Sequence, residues 1–506
     1  MPDSSRTTPG RLLPLRKRRS TVAPRRETGR VVNDPPNTQA RLVLGICVAV
    51  GFTTLLDQSI FTMAVPRLRD TLHASAAQLQ LIVSVYSMAF GIALVPAGRL
   101  GDIIGRRLLF LVGLAIFTSC SVLGGLANYA STVIAARLLQ GIGAGMLNTQ
   151  VLGLIQDQFH GLTRARALGR YASAGGLAAA AGPVLGGLLL AWAPHSSGWR
   201  LLFLANVPFG VAAFVLAWRH LPRSRPAGRR FSLDVPGLFL LSGATFALMG
   251  ATLVTPRAAS GSSQAWLCAA VAAPLLFSGW EWFYGRHGGT PILSRGLVRS
   301  PGYVLGTLVA MGQFASGLTI GVITTLYFLD NLRIGPTVFA ALTVPGALGM
   351  MTASRYSWRF MERCGRAGVT CAIGFYAVFT ALQGAAMLWL PREAIFIAYP
   401  LLGLLQGAAS GLVHAPNQAM SLAVTGEGEG RGVAAGFYQL SQRLASAVAM
   451  SWGSGILIGA AARTGTTSSR MGLAGALGLA LAFSAGAGLA SVADLLRRRR
   501  EESRVC

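Results

Sequence analysis

Fourteen apolar runs of roughly twenty or more residues leave this chain one way to fold. A helix of about twenty such residues matches the hydrocarbon core of a bilayer. Within lipid, a helix lets a single segment satisfy its own backbone hydrogen bonds. The runs fall at 42–66, 77–97, 108–128, 131–155, 166–193, 200–218, 235–254, 264–284, 303–328, 336–354, 368–390, 394–415, 432–460 and 471–495. The expected fold class is an all-α membrane protein with about fourteen transmembrane helices. Only 12% of the residues are charged, about half the share usual in a soluble domain.

The formal net charge of +27 would suit a nucleic-acid-binding surface if the cations formed a face or stripe. They sit instead in short clusters between apolar runs, so the expected partner is the lipid bilayer and not nucleic acid. Such clusters set orientation, because cytoplasmic loops carry the excess of Lys and Arg. With residues 1–40 inside, the outer loops hold Arg67, Arg69, Arg200, Arg257, Arg333, Arg392, Arg463 and Arg470, eight of the 44 cations. Both termini are therefore expected to be cytoplasmic in a multi-pass protein of the cell membrane, working as a monomer. Residues 1–40 read as a disordered basic tail without a cleavable leader. The charge runs Arg16–Arg19 and Arg497–Arg500 read as topology signals. Six cysteines without metal-binding or redox spacing give no reason to expect a metal or a cofactor.

The chain repeats itself. Gly98-Arg-Leu-Gly-Asp102-Ile-Ile-Gly105-Arg106-Arg107, after the second run, is echoed by Glu362-Arg-Cys-Gly365-Arg366 after the tenth, at a spacing of 260 residues. The predicted organisation is a six-helix bundle at 41–219, two linker helices within 220–302, a second six-helix bundle at 303–496, and a basic tail at 497–506. Repeated halves are the usual architecture of secondary transporters, with the substrate site between them near the midplane.

Asp57 is the one carboxylate that the run boundaries place well inside a span. A charged residue there costs about 2.5–3.5 kcal/mol on insertion scales and marks function. Arg137 lies at a similar depth in the fourth run, so the two are expected to pair and to couple transport to protons. The same spacing also admits a permanent structural ion pair. Gln140, Gln439 and Arg443 are candidate cavity residues, and His414 reads as a packed histidine. The loop Gly98, Asp102, Gly105, Arg106, Arg107 is expected to latch the inner ends of the halves, with Asp102 accepting from a helix N-terminus. Gly182, Pro183, Gly186 and Gly187 in the fifth run suggest a hinge. Trp280, Trp282 and Tyr284 suit an interfacial belt.

These motifs resemble the major facilitator superfamily and, within it, the fourteen-span drug:proton antiporters. Gly98 to Arg107 looks like the signature loop after span two. Arg137-Leu-Leu-Gln140-Gly141-Ile-Gly143 is similar to the span-four motif whose Arg is assigned to proton transfer. Gly182-Pro183-x-x-Gly186-Gly187 looks like the antiporter motif of span five. Leu56-Asp57-x-Ser59-Ile60-x-x-x-Ala64-x-Pro66 and Trp199-Arg200-x-x-Phe203-x-x-Asn206-x-Pro208 resemble the fourteen-span group. Ile103 replaces the usual basic residue after Asp102, and Gln442-Arg443 inverts the family's Arg-Gln order. The resemblance implies the major facilitator fold and proton-coupled efflux of drugs, antibiotics or related hydrophobic metabolites by alternating access. The alternative is a facilitator or symporter importing a small organic nutrient. No Ser/His/Asp set, HExxH, Walker loop or carboxylate pair points to an enzyme.

Overall fold

A computed structural model describes residues 38–61, 64–192, 197–223, 234–253, 261–289, 291–293, 295–423, 431–464 and 470–505. The basic tail expected at 1–40 thus lies outside the described residues as far as 37. Apart from short turns and connections, these residues are helical, as apolar segments in lipid must be. The helices are α1 Thr38–Phe61, α2 Val65–Leu72, α3 Ala76–Ile104, α4 Arg106–Gly125, α5 Ala130–Gln158, α6 Gly161–Trp192, α7 Gly198–Leu204 and α8 Asn206–His220. The linker region supplies α9 Val235–Leu253, α10 Gly261–Arg286 and the short α11 Arg295–Arg299. Then follow α12 Pro301–Leu326 with a π-helical turn Tyr327–Asn331, α13 Pro336–Trp389, α14 Arg392–Leu422, α15 Arg431–Thr464 and α16 Arg470–Val505. Ten of the described helices are long and apolar enough to cross a membrane, and a shorter apolar helix covers Val235–Ala251.

Several ends differ from the sequence expectation for local reasons. The first span stops at Phe61, and Pro66 sits in the first turn of α2 instead of closing α1, where its missing N–H costs nothing. α3 begins at a capping box in which Ser75 and Gln78 exchange hydrogen bonds of 3.3 and 2.9 Å. α13 spans two of the expected runs, broken at Gly365 with φ 50°. At the end of the chain, the residues expected as a basic tail at 497–506 are helical as far as Val505. α16 runs on because Arg497 and Arg498 reach back one turn to Asp494 at 3.0 and 3.2 Å, and Arg497 reaches forward to Glu501 at 2.7 Å.

α1 packs on α6 and α8, α3 and α4 on α5, and α12 on α14, α15 and α16. α9 pairs with α10 and also touches both α3 and α15. The two sets of bundle helices meet along α3 with α15 and α6 with α13 and α14. Those contacts gather at one end of the molecule, the end that carries Asp102. There Gly98 lies on Gly432, Gly436 on Leu94, and Gly176 on Met351. Ser173 Oγ donates to Met351 O at 2.9 Å, and Arg166 stacks 3.7 Å over the Trp358 ring.

The same end holds a buried ion cluster in each half. Arg106 binds Asp102 at 2.9 Å and Asp157 at 2.7 Å. Its repeat partner Arg366 binds Asn417, which stands at the repeat position of Asp157, at 2.6 Å, and Asp494 at 3.0 Å. Asp494 is fully buried, so Asp57 is not the sole interior carboxylate; Asp234, 1% exposed, is another. Stripping one partner from a buried pair typically costs about 3–5 kcal/mol. Asp494→Ala is therefore expected to lower the thermal midpoint of the detergent-solubilised protein markedly, and Glu501→Ala, at an exposed pair, hardly at all. Equal midpoints for the two variants would contradict this.

Candidate functional site

The centre of the first bundle is built from four helices around one carboxylate. Asp57 lies four residues before the end of α1, a helix with no other charged residue beyond Arg41. Arg137 Nη1 donates to Asp57 Oδ2 at 2.8 Å. Gln140, one turn further along α5, donates to Asp57 Oδ1 at 3.2 Å and to Ser121 Oγ at 2.9 Å, and its own oxygen accepts from Arg137 at 3.0 Å. Asn206, at the start of α8, closes the set by donating to Asp57 Oδ1 at 2.6 Å. Asp57 and Arg137 are 1% and 2% exposed. The guanidinium is sandwiched by the rings of Phe61 and Tyr86, 4.0 and 4.2 Å from Cζ, so its charge also meets two aromatic faces. A carboxylate held this way accepts three hydrogen bonds, and a proton added to it removes an acceptor from each donor it displaces.

Two of these residues correct or extend the sequence reading. Gln140, expected on a cavity wall, is wholly buried inside the cluster and makes no wall. Asn206 and Ser121 were not singled out as site residues; the placement of Asn206 at the opening of α8, two residues before Pro208, was the available signal.

At the Asp102 end, one residue of the loop expected to act as a latch, Asp102, reaches across to α15. Gly105, φ 103°, joins α3 to α4 without a Cβ penalty. Arg106 turns Asp102 toward α15, and both Asp102 oxygens accept from the Gly432 N–H, at 3.1 and 3.3 Å. Gly432 is in the first turn of α15, where the exposed N–H groups and the helix dipole favour an anion. Arg107 points elsewhere and donates to Trp218 O at the end of α8. Glu362, at the repeat position of Asp102, is exposed.

The expected hinge divides. Gly182 lies against the α1 backbone at Ser59 and Ile60, two residues from Asp57, with no room for a Cβ. Gly186 is buried, whereas Gly187 faces open space. α6 continues through Pro183. Arg443, on α15, crosses to the other half and sits 4.5 Å over the Phe90 ring of α3. Gln439 is buried one turn below it. His414 packs 5.1 Å from the Phe314 ring, and Trp280 Nε1 donates to Asp234 at 2.9 Å, pinning α10 to the start of α9.

The family model for the major facilitator superfamily matches residues 47–450. The chain belongs to the major facilitator superfamily. This facilitator is 32% identical over 333 residues to a protein of Streptomyces coelicolor named as a probable actinorhodin transporter, covering 64% of this chain and 56% of that one. It is 31% identical to the tetracenomycin C resistance and export protein of Streptomyces glaucescens, over 68% of this chain and 63% of the relative. A cephamycin export protein of Amycolatopsis lactamdurans is 34% identical, over 69% and 70% of the two chains. The facilitator thus spans somewhat more than half the length of the first two relatives. Among solved structures, a proton:xylose symporter aligns over 89% of this chain and 94% of its own with a TM-score of 0.64 at 14% identity. A human organic anion transporter aligns over 90% and 99% with a TM-score of 0.61 at 16% identity. Both show the fold. The superfamily is one of transporters rather than enzymes, so the chain is a multi-pass membrane protein of that kind.

Proposed function

We propose that this facilitator exports drugs, antibiotics or related hydrophobic metabolites across the cytoplasmic membrane in exchange for protons. The observation that carries the reading is the Asp57–Arg137 pair, buried at 2.8 Å inside one bundle and away from the latch at the other end. In this reading 41–219 and 303–496 are the two rocking bundles, 220–302 is the linker pair completing fourteen spans, and both termini are cytoplasmic. The names of the relatives as export and resistance proteins support the direction of transport.

The cycle follows from which contacts a proton weakens. With Asp57 ionised, its three donors hold α1, α5 and α8 together. Protonation frees Arg137 and Asn206 to relax, and the change passes along α1 to α6 through the close approach of Ser59 and Gly182. α6 in turn bears on α13 at Gly169–Ser354 and Gly176–Met351, so a shift of α6 biases whether the Asp102 end is closed. That is a chain of packed elements whose two arrangements differ in affinity for a proton. The latch sets the competing bias: Asp102 on Gly432 holds the cytoplasmic end shut and leaves the central cleft facing outward. A membrane potential contributes roughly 2.3 kcal/mol per charge per 100 mV to such a cycle.

The test is flux into inverted vesicles. Acidifying their lumen should drive accumulation of a fluorescent hydrophobic drug, and collapsing the gradient with an ionophore should release it. Accumulation indifferent to the gradient would exclude antiport, and flux only in the opposite direction would favour import.

A further inference from the structure

Among the described residues, the buried ion pairs commit their arginines, and Arg443 stands apart from them. Arg137 has Asp57, Arg106 has Asp102 and Asp157, and Arg366 has Asp494. Arg443 has no ion pair and no hydrogen bond to any described residue. It lies twelve residues into α15, about 18 Å along the helix axis, so it stands near the middle of the membrane. An arginine at that depth is costly to insert and is kept where it has a partner or a task.

Its surroundings are aromatic and come from the opposite half. Phe90 lies under the guanidinium at 4.5 Å, and Tyr86 and Tyr171 are within electrostatic reach of it. Neither tyrosine hydroxyl donates to it: Tyr171 donates to Asn148 at 2.5 Å and Tyr86 to Thr54 O at 3.5 Å. A ring face satisfies part of the charge and none of the five N–H donors, which remain available to an acceptor.

The position of Arg443 between the halves fixes what can reach it. From the latch upward, α3 and α15 touch at Gly98–Gly432, then Leu94–Gly436, then Gly91–Leu440. Arg443 over Phe90 is the next step along both helices, and it is partly exposed where the three preceding contacts are closed. It is therefore the first partly exposed position on this seam on the side away from the Asp102 end. Asp57, the interior carboxylate of the first bundle's central cluster, is occupied by Arg137, Gln140 and Asn206.

We infer that Arg443 is the charge-recognition residue of the central site, and that the class of compound it selects is an organic anion, a carboxylate or ionised phenol on an apolar body. The planar guanidinium takes the anion with two parallel N–H donors, while Phe90 backs it from the other half. A cationic compound would meet an uncompensated positive charge there and is disfavoured. This assignment rests on the export reading, since it names the substrate class of the same site.

Paired ligands test it: 2-naphthoate and 1-pyrenebutyrate, each against its methyl ester, titrated into the purified full-length protein, with affinity read by thermal shift for naphthoate and by fluorescence for pyrenebutyrate. The wild type should bind each acid at least tenfold more tightly than its ester. Arg443→Gln should bring acid and ester to parity, and Arg443→Lys should keep part of the preference, charge without the fork. A merely structural Arg443 would lower the thermal midpoint of the ligand-free variant and leave the acid-to-ester ratio unchanged. That result overturns the assignment, as does a wild type that binds neither acid or does not distinguish them. Acid preference without gradient-driven flux overturns the export reading alone; flux without acid preference overturns this inference alone.

Discussion

Asp57→Asn is expected to abolish gradient-driven export, reducing drug accumulation in inverted vesicles to the level of vesicles lacking the protein, while the variant still folds and inserts. The amide has nearly the volume of the carboxylate and one oxygen that still accepts from Arg137 or Asn206, so the three-helix junction keeps most of its hydrogen bonds. It has no site for a titrating proton. Asp57→Ala is a different experiment: it leaves a buried guanidinium with no carboxylate, a change that typically costs about 3–5 kcal/mol, and should fail as much by instability as by mechanism. The contrast between the two separates coupling from structure. If Asp57→Asn exports at the wild-type rate, the pair is a permanent clamp between α1 and α5. Arg137→Lys should lie between wild type and Asp57→Asn, because an ammonium can still donate to Asp57 and Gln140 but lacks the planar guanidinium that lies 4.0 and 4.2 Å from the rings of Phe61 and Tyr86.

What the sequence disclosed about this site follows from what kind of signal each residue carries. Asp57 and Arg137 are legible because a charge inside an apolar run is rare and expensive, so depth along two helices is enough to bring them together as candidates. Gln140 and Asn206 carry no such cost, and a polar amide in a span does not say whether it faces a cavity or a carboxylate. Only the rotation of α5, which puts positions 137 and 140 on one face toward Asp57, decides it. Asp494 carries a weaker signal because it lies at the very end of the run 471–495, where a carboxylate is cheap to place. In the fold it is the counter-charge for Arg366, and the repeat spacing that aligns Asp102 with Glu362 also aligns Arg106 with Arg366 and Asp157 with Asn417. The repeat replaced an acid by an amide at 417 and supplied the acid from α16 instead. Helix existence was readable from hydropathy, whereas the end of α1, the break between α7 and α8, and the extension of α16 depended on proline placement and local ion pairs.

The second large effect is expected at a position with no functional group at all. Gly98 and Gly432 bring the backbones of α3 and α15 into contact at the latch, and a Cβ on Gly98 would fall on Gly432 O and its carbonyl carbon. Backbone cannot yield as a side-chain tip does, so Gly98→Ala must hold the two helices apart, lengthening the 3.1 Å bond from Gly432 N to Asp102 beside it. The closed arrangement of this end is penalised and the opposite one is not, so the variant should rest with the Asp102 end open. Export should fall at least tenfold, because a transporter that closes one gate poorly completes few cycles. Spin labels at Ile104 and Ala423, in a background without reactive cysteines, should move apart relative to the wild-type protein. Gly455→Ala on the same α15 helix, where a Cβ meets open space, should change neither flux nor distance. Unchanged label separation together with normal export in Gly98→Ala would mean that the glycine contact is incidental and that the Asp102 bond does not set the conformational balance.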